Sequence, residues 1–285
     1  VVVSEMVSAD GIIHKQRQTL AYLEFTEAER PFGIQIFGSN PLIMAKATEI
    51  ILHHNPDFID INMGCPVKKV VKRGAGGALM SDIGKAVEIV SEVKRVLPNG
   101  FPLSVKFRSG NDITKLNYLD FGKAMQDAGA DIVTLHPRTV KQVFTGVSNW
   151  QHIKELKKAL SVPVIGNGDI KSVAEGLEMF ELTGCDSIMI GRGALGHPWM
   201  FKQIKDKING SEITDVTLKD KLEILVHHLD EALTVKPERL VVREIRSHLC
   251  FYTKGLNGGA KLRNSINQTE TIFELKKILT EAFGF

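Results

Sequence analysis

Cys65 lies in Asn62-Met63-Gly64-Cys65-Pro66, just past an apolar run, where Gly64 and Pro66 would shape a loop that presents the thiol. A lone cysteine is more often a small buried hydrophobe, and Cys185 and Cys250, in helix-flanking apolar settings, read that way. Cys65 differs because a basic, glycine-rich stretch follows it, Lys68-Lys69-Val70-Val71-Lys72-Arg73-Gly74-Ala75-Gly76-Gly77, suited to a mobile lid facing a substrate. Five polar residues, Gln35, Asn62, Lys106, His136 and Asn167, stand near the ends of other apolar runs. An unpaired buried ammonium costs several kcal/mol, so Lys106 calls for an anion, either Asp60 or a bound ligand. Two glycine-bearing loops, Gly166-Asn167-Gly168-Asp169 and Gly191-Arg192-Gly193, are candidates for gripping phosphate through backbone N–H groups, with an arginine adding a charge-assisted contact. A thiol, an interior lysine and a phosphate site do not alone specify a reaction.

Positioning these groups falls to seven short apolar runs, at residues 1–6, 33–38, 58–63, 102–108, 132–138, 163–169 and 187–193, which read as strands. Amphipathic stretches separate them, such as 81–97, where Ser81 can cap a helix carrying Ile83, Val87, Val90 and Val93. Strand-helix alternation predicts a parallel sheet, and its repetition over about 200 residues predicts a TIM-type (β/α)8 barrel, with an open doubly wound sheet as the alternative. Three junctions, Pro56-Asp57-Phe58-Ile59, Gly129-Ala130-Asp131-Ile132 and Gly184-Cys185-Asp186-Ser187, are near copies of one another. An eighth strand would have to precede Val1, so the barrel is expected to lack its first strand.

Parity along the strands gives a sharper expectation. Ile34 and Ile36 leave Gln35 on the other face, Ile59 and Ile61 leave Asp60 and Asn62, Val105 and Phe107 leave Lys106, and Val133 and Leu135 leave Thr134 and His136. If the apolar set meets the helices, the five polar groups converge on the mouth at the strands' C-terminal ends, where barrels do their chemistry.

Past Trp199 the strand pattern stops, and 217–235, 239–254 and 271–283 read as helices. The expected domains are a barrel at 1–205 and a helical domain at 206–285. Within the latter, 236–263 holds seven Lys or Arg (Lys236, Arg239, Arg243, Arg246, Lys254, Lys261, Arg263) against two acids (Glu238, Glu244). Either a phosphate-contacting face or an ordinary solvated surface fits that excess. The net charge of +3 is too small to announce nucleic-acid binding by itself. Three scattered cysteines argue against a disulfide framework and for a reducing, cytoplasmic setting. No apolar run is long enough to span a membrane.

At these residues the sequence resembles the tRNA-dihydrouridine synthases, close to the bacterial B-type subgroup. The segments that carry the resemblance are Ser4-Glu5-Met6-Val7-Ser8-Ala9, Gln35-Ile36-Phe37-Gly38, Asp60-Ile61-Asn62-Met63-Gly64-Cys65-Pro66, Gly74-Ala75-Gly76-Gly77-Ala78-Leu79, His136-Pro137-Arg138-Thr139, Gly166-Asn167-Gly168-Asp169 and Gly191-Arg192-Gly193. Tyr252-Thr253-Lys254-Gly255 and Leu262-Arg263 extend it into the tail. The resemblance implies FMN in the barrel mouth, held by Gln35, Lys106 and His136 and, at its phosphate end, by Asn167, Gly168, Asp169, Gly191 and Arg192. It implies NADPH as reductant, hydride transfer from flavin N5 to uracil C6, and a proton from Cys65 to C5. Asn62 would orient the uracil, while Lys68, Lys72, Arg73, Arg138, Arg243, Arg246 and Arg263 would contact tRNA, whose target base must be turned outward. Family members begin with a further strand and a flavin-covering loop, which this sequence does not contain. The rival readings are a non-catalytic RNA-binding remnant and an FMN barrel of the dihydroorotate dehydrogenase type. No metal and no membrane partner is expected, and the chain is expected to act as a monomer.

Overall fold

The computed structural model describes residues 1–254, 256 and 258–284, so Gly255 of the tail motif lies outside the described residues. All seven expected strands form, and they are parallel. The first is interrupted, as β1 (Val2–Val3) and β2 (Val7–Ser8), and both segments line β3 (Phe32–Phe37). From Val3↔Gly33 to Val7↔Ile36 the first strand spends one residue more than its partner. Ser4 fills the irregularity, its N–H donating to the Gly33 carbonyl and its hydroxyl accepting from Gln35 N–H. The sheet continues through β4 (Phe58–Met63) and β5 (Leu103–Arg108). After a two-stranded hairpin, β6 (Gly110–Asp112) and β7 (Lys115–Leu116), it resumes with β8 (Ile132–His136), β9 (Val164–Asn167) and β10 (Ser187–Met189). Among the described residues, β1 and β2 pair with β3 alone and β10 with β9 alone.

The last three strands stop short of their expected extents. Pro137 has no N–H to continue the ladder after β8, and Gly168 turns the chain after β9 with φ +121°. The helix after β4 is capped by Asp82, whose carboxylate accepts from Lys85 N–H, rather than by Ser81, which ends the preceding 3-10 turn.

The three copied junctions prove to be one device used three times. Asp57, Asp131 and Asp186 each donate a backbone N–H to the first residue of the preceding strand in the sheet, Phe32, Leu103 and Val164, at 2.9, 2.8 and 2.9 Å. Each carboxylate accepts that same residue's N–H, at 2.6, 2.8 and 2.7 Å. Arg30, Lys94 and Lys157 pair with the three acids. The other strand starts carry proline, and the carbonyls of Pro31, Pro102 and Pro163 accept from Val2, Ile59 and Val133. Aspartate and proline thus alternate along the sheet's N-terminal edge and pin its register.

Internal packing divides the described chain into two compact units, Val1–Asp169 with Glu178–Met189, and Ile170–Leu177 with Ile190–Phe285. This division falls earlier than the 205/206 boundary read from sequence. The second unit contains helices Met200–Ile208, Leu218–Val235, Glu238–Tyr252, Gly259–Gln268 and Ile272–Phe283. Leu225, Leu229, Ile245, Leu249, Ile266, Leu275 and Leu279 form its core. Among the described residues no helix is long and apolar enough to cross a membrane.

The edge device predicts two outcomes. Asp131→Ala leaves Leu103 N–H without its side-chain acceptor and costs about 1 kcal/mol, read from the urea midpoint. The Phe32 N–H, ahead of Arg30, holds the Asp57 carboxyl below its ordinary value. Partial burial pushes Asp186 up, but Lys157 and Val164 N–H outweigh it and leave that group lowered too. Both contributions are therefore complete above the unfolded value of 3.8 and fade as pH falls through the lower folded values. Between pH 5 and pH 3 the midpoint of Asp57→Asn/Asp186→Asn should fall less steeply than that of the unsubstituted chain.

Candidate active site

Side chains paired across neighbouring parallel strands share a face, so the register gives the lining directly. Gln35, Asp60 and Ser104 stand abreast, Asn62, Lys106 and Thr134 form the next row, and Arg108 pairs with His136 above them. The intervening residues, Ile34, Ile36, Ile59, Ile61, Val105, Phe107, Val133 and Leu135, are fully buried. Phe107 packs against Phe121 of helix Tyr118–Asp127 with the rings tilted, and a Cβ on Gly166 would strike Met179 of helix Val173–Thr183. The apolar set meets the helical layer, as parity required, and the polar set faces inward.

The inward groups are tied together. Asn62 Nδ2 donates to Gln35 Oε1 at 2.8 Å, and Gln35 Nε2 donates to Asp60 Oδ2 at 2.6 Å. Burial pushes the Asp60 carboxyl up, opposed by hydrogen bonds from Ser104 and Gln35 and by the Lys106 charge. Lys106 Nζ donates to Asn167 Oδ1 at 3.0 Å, and Asn167 Nδ2 donates to the Met189 carbonyl at 2.7 Å. Burial lowers the Lys106 ammonium to about 8 even though Asp60 pulls the other way. His136 is driven down to about 2, first by burial and then by Lys106, Arg108 and Arg138. It is a neutral imidazole throughout the working pH range, one donor and one acceptor.

Asn62 also builds the cysteine loop. Its Oδ1 accepts from the N–H groups of Gly64 and Cys65, at 3.1 and 2.9 Å, fixing the turn that carries the thiol. One of its two amide hydrogens remains for a ligand. The Cys65 side is closed by residues 74–77, the end of the 68–77 stretch that sequence suggested as a mobile lid. Ala75, Gly76 and Gly77 are instead buried, and Gly77 N–H donates to the Cys65 carbonyl at 2.9 Å. Gly76, at φ +57°, admits nothing larger, since an added Cβ would lie 3.0 Å from Cys65 Cβ. Lys68, Lys72 and Arg73 remain exposed.

Arg108 went unnoticed in the sequence, although it shares the inward parity of Lys106. Its Nε donates to the Gly64 carbonyl at 2.8 Å, and Nη1 to the carbonyls of Thr139 and Val143 at 2.9 and 2.8 Å. It ties the cysteine loop to the loop after β8, and its guanidinium lies 5.8 Å from the Phe144 ring centroid.

Arg138 requires a correction. Expected to meet RNA, it is only 2% exposed. All five of its N–H groups point inward, to the Thr145 and Gly146 carbonyls, Ser148 Oγ, His136 Nε2 and Asp169 Oδ2. Asp169, expected at the cofactor, spends Oδ2 on Arg138 and on Ser148 N–H, each at 2.8 Å. Gly168 has no room for a side chain, as a Cβ would approach Ser148 Oγ to 2.4 Å and His136 Cδ2 to 2.8 Å. Gly191 and Arg192 belong to the second unit, where exposed Arg192 opens a 3-10 turn, Arg192–Ala194. Arg243 is exposed there, whereas Arg246 is half-buried, donating to the Thr269 carbonyl at 2.6 Å. Cys185 is buried against Gly166, the bland role expected of it.

Comparison with known proteins identifies the family. A family model described as "Dihydrouridine synthase (Dus)" matches residues 1–284. The chain is 38% identical over 282 residues to the "Probable tRNA-dihydrouridine synthase" of Aquifex aeolicus, covering 98% of this chain and 87% of that one. It is 34% identical over 270 residues to "tRNA-dihydrouridine synthase B" of Pseudomonas aeruginosa, covering 94% and 81%. Among solved structures, histamine dehydrogenase from Rhizobium sp. 4-9 superposes with a TM-score of 0.55 at 14% identity, over 73% of this chain and 41% of that one, a likeness of fold alone. A barrel-type parallel sheet with a polar inner face, a cysteine loop anchored to it by Asn62, and a match along nearly the whole sequence lead to one conclusion: this chain belongs to the dihydrouridine synthase family.

Proposed function

We propose that this chain reduces the 5,6 double bond of a uracil in tRNA, using bound FMN that NADPH reduces. The observation that carries the reading is the double duty of Asn62, which joins the polar row of Gln35 and Asp60 to the turn holding Cys65. Two features fit a flavin in the mouth. Lys106 uses one of its three N–H groups among the described residues, and the Thr134 hydroxyl beside it is buried with no partner. A planar cofactor rich in carbonyl and nitrogen acceptors would use both.

When bound, the reduced flavin supplies a hydride to uracil C6. The chain's own residues do the rest. Lys106 offers positive charge to the flavin, Gln35 and neutral His136 bind its polar edge, and Asn167 and Gly168 hold its phosphate side. Arg138 and Asp169 act one layer out, fixing the loop that supports Gly168 and His136. Asn62 presents its remaining amide hydrogen to the uracil. The Cys65 thiol holds the proton that C5 receives, and the thiolate left behind regains a proton from water, so hydride and proton balance the two hydrogens added. The exposed cations Lys68, Lys72, Arg73 and Arg243 bear on the RNA backbone, offsetting the cost of turning the base outward.

Cys65→Ala should lower dihydrouridine formation about 100-fold or more while NADPH still bleaches the flavin at its normal rate. Loss of bleaching would contradict the proton-donor role. Lys106 carries its charge below about pH 8 and loses it above. FMN affinity, followed by quenching of flavin fluorescence, should therefore weaken as pH rises through that value. Lys106→Met should bind roughly tenfold less tightly and lose the pH dependence. An affinity unchanged from pH 7 to 9.5 in the unsubstituted protein would remove Lys106 from the flavin site.

A further inference from the structure

Within the second unit, the turn at 194–198 and helices Leu218–Val235 and Glu238–Tyr252 enclose a cleft of about 340 Å³, walled by Leu195, Ile224, His227, His228, His248 and Tyr252. Gly196, at φ +68°, lets the turn close against the second helix, for a Cβ there would stand 2.5 Å from the Phe251 carbonyl carbon. The rings are mutually arranged, with His228 and His248 edge to face at 5.5 Å and Tyr252 6.3 Å from His228. Burial, and then His248 and His227, keep His228 below its ordinary value, so this ring is not a phosphate-binding cation at neutral pH.

The cleft's lining is mostly apolar ring and aliphatic surface, with few polar atoms turned into it. Among the described residues, no hydrogen bond inside the protein engages the ring nitrogens of His227, His228 or His248, or the Tyr252 hydroxyl. No metal-binding cluster occurs among the described residues. Of the two helices that wall the cleft, Leu218–Val235 carries exposed Glu223 and Glu231, and Glu238–Tyr252 carries exposed Arg239 and Arg243. Glu238 is spent on Ile272 N–H and Glu244 on Lys236, while exposed Arg239, Arg243, Lys254, Lys261 and Arg263 have no ion pair among the described residues. Stacking rings with unengaged donors and acceptors, on a helix that also carries exposed Arg239 and Arg243, match a nucleobase with flanking phosphates.

We propose that this cleft is a second base-binding site, which takes one unstacked nucleobase of the RNA in addition to the uracil that is reduced. The proposal rests on the reading that the substrate is tRNA. Base–ring contact is short-range and insensitive to salt, whereas phosphate contact is not, and this separates the two contributions.

The test is binding of an unmodified tRNA transcript to the full chain over a range of salt concentrations. His228→Ala/His248→Ala should weaken binding about tenfold or more with the salt slope unchanged. Arg239→Glu/Arg243→Glu should instead make the slope shallower. Ala194→Trp, which fills the cleft from its turn, should reproduce the histidine loss and covers the case in which the double variant does not fold. Unsubstituted affinity in the folded cleft variants, whether or not adenosine or uridine monophosphate binds the cleft, overturns the proposal. So does a loss accompanied by a shallower slope. Failure of the unsubstituted chain to bind tRNA at low salt would instead overturn the tRNA reading on which the proposal stands.

Discussion

Successive side chains of a strand point to opposite faces, so every strand from Phe32 to Met189 serves two environments at once. Ile34, Ile59, Val105 and Val133 are completely buried on the helix-facing side, while Gln35, Asp60, Lys106 and Thr134 line the other. A slip of one residue in any strand would exchange the faces, placing Lys106 among apolar side chains and Val105 in the mouth. The alternating aspartates and prolines at the strand starts oppose such a slip, because each carboxylate fits one N–H of one neighbour. The geometry of the polar mouth at one end of the sheet therefore depends on hydrogen bonds at the other.

Charge in the mouth follows from the same arrangement. Lys106, Arg108 and Arg138 project from the inward face or the loop above it, with Asp60 and Asp169 as the nearby acids. Arg108 donates to the backbone carbonyls of Gly64, Thr139 and Val143, and Arg138 divides its donors between the Thr145 and Gly146 carbonyls and the side chains of His136, Ser148 and Asp169. Each guanidinium thereby uses its charge to hold loops, as its fan of donors permits. Burial first, and then the charges of Lys106, Arg108 and Arg138, keep His136 neutral.

Much of this was legible in the sequence because alternation of β-branched and polar residues encodes both strand and face. The seven strands, the inward direction of Gln35, Asn62, Lys106, His136 and Asn167, and the bland role of Cys185 were all readable in that way. What parity cannot give is the partner of a long side chain. Arg138 sits in a loop, so its type suggested phosphate while its inward donors were invisible, and Arg108 was passed over at a strand's end. The copied Asp junctions stood out as a pattern, but their neighbours come from 22 to 28 residues away and are fixed only by the sheet. The helix Gly259–Gln268 opens on Gly258, with a left-handed backbone and no side-chain cap, and offers little of the usual start signal.

In the proposed reaction this inner face and its thiol add two hydrogens to a uracil. Mass spectrometry of a tRNA transcript incubated with the chain, FMN and NADPH should then show a fragment heavier by two hydrogens at a uridine, absent when NADPH is omitted. A transcript of unchanged mass from protein that binds FMN, turns over NADPH and retains tRNA would contradict that reaction.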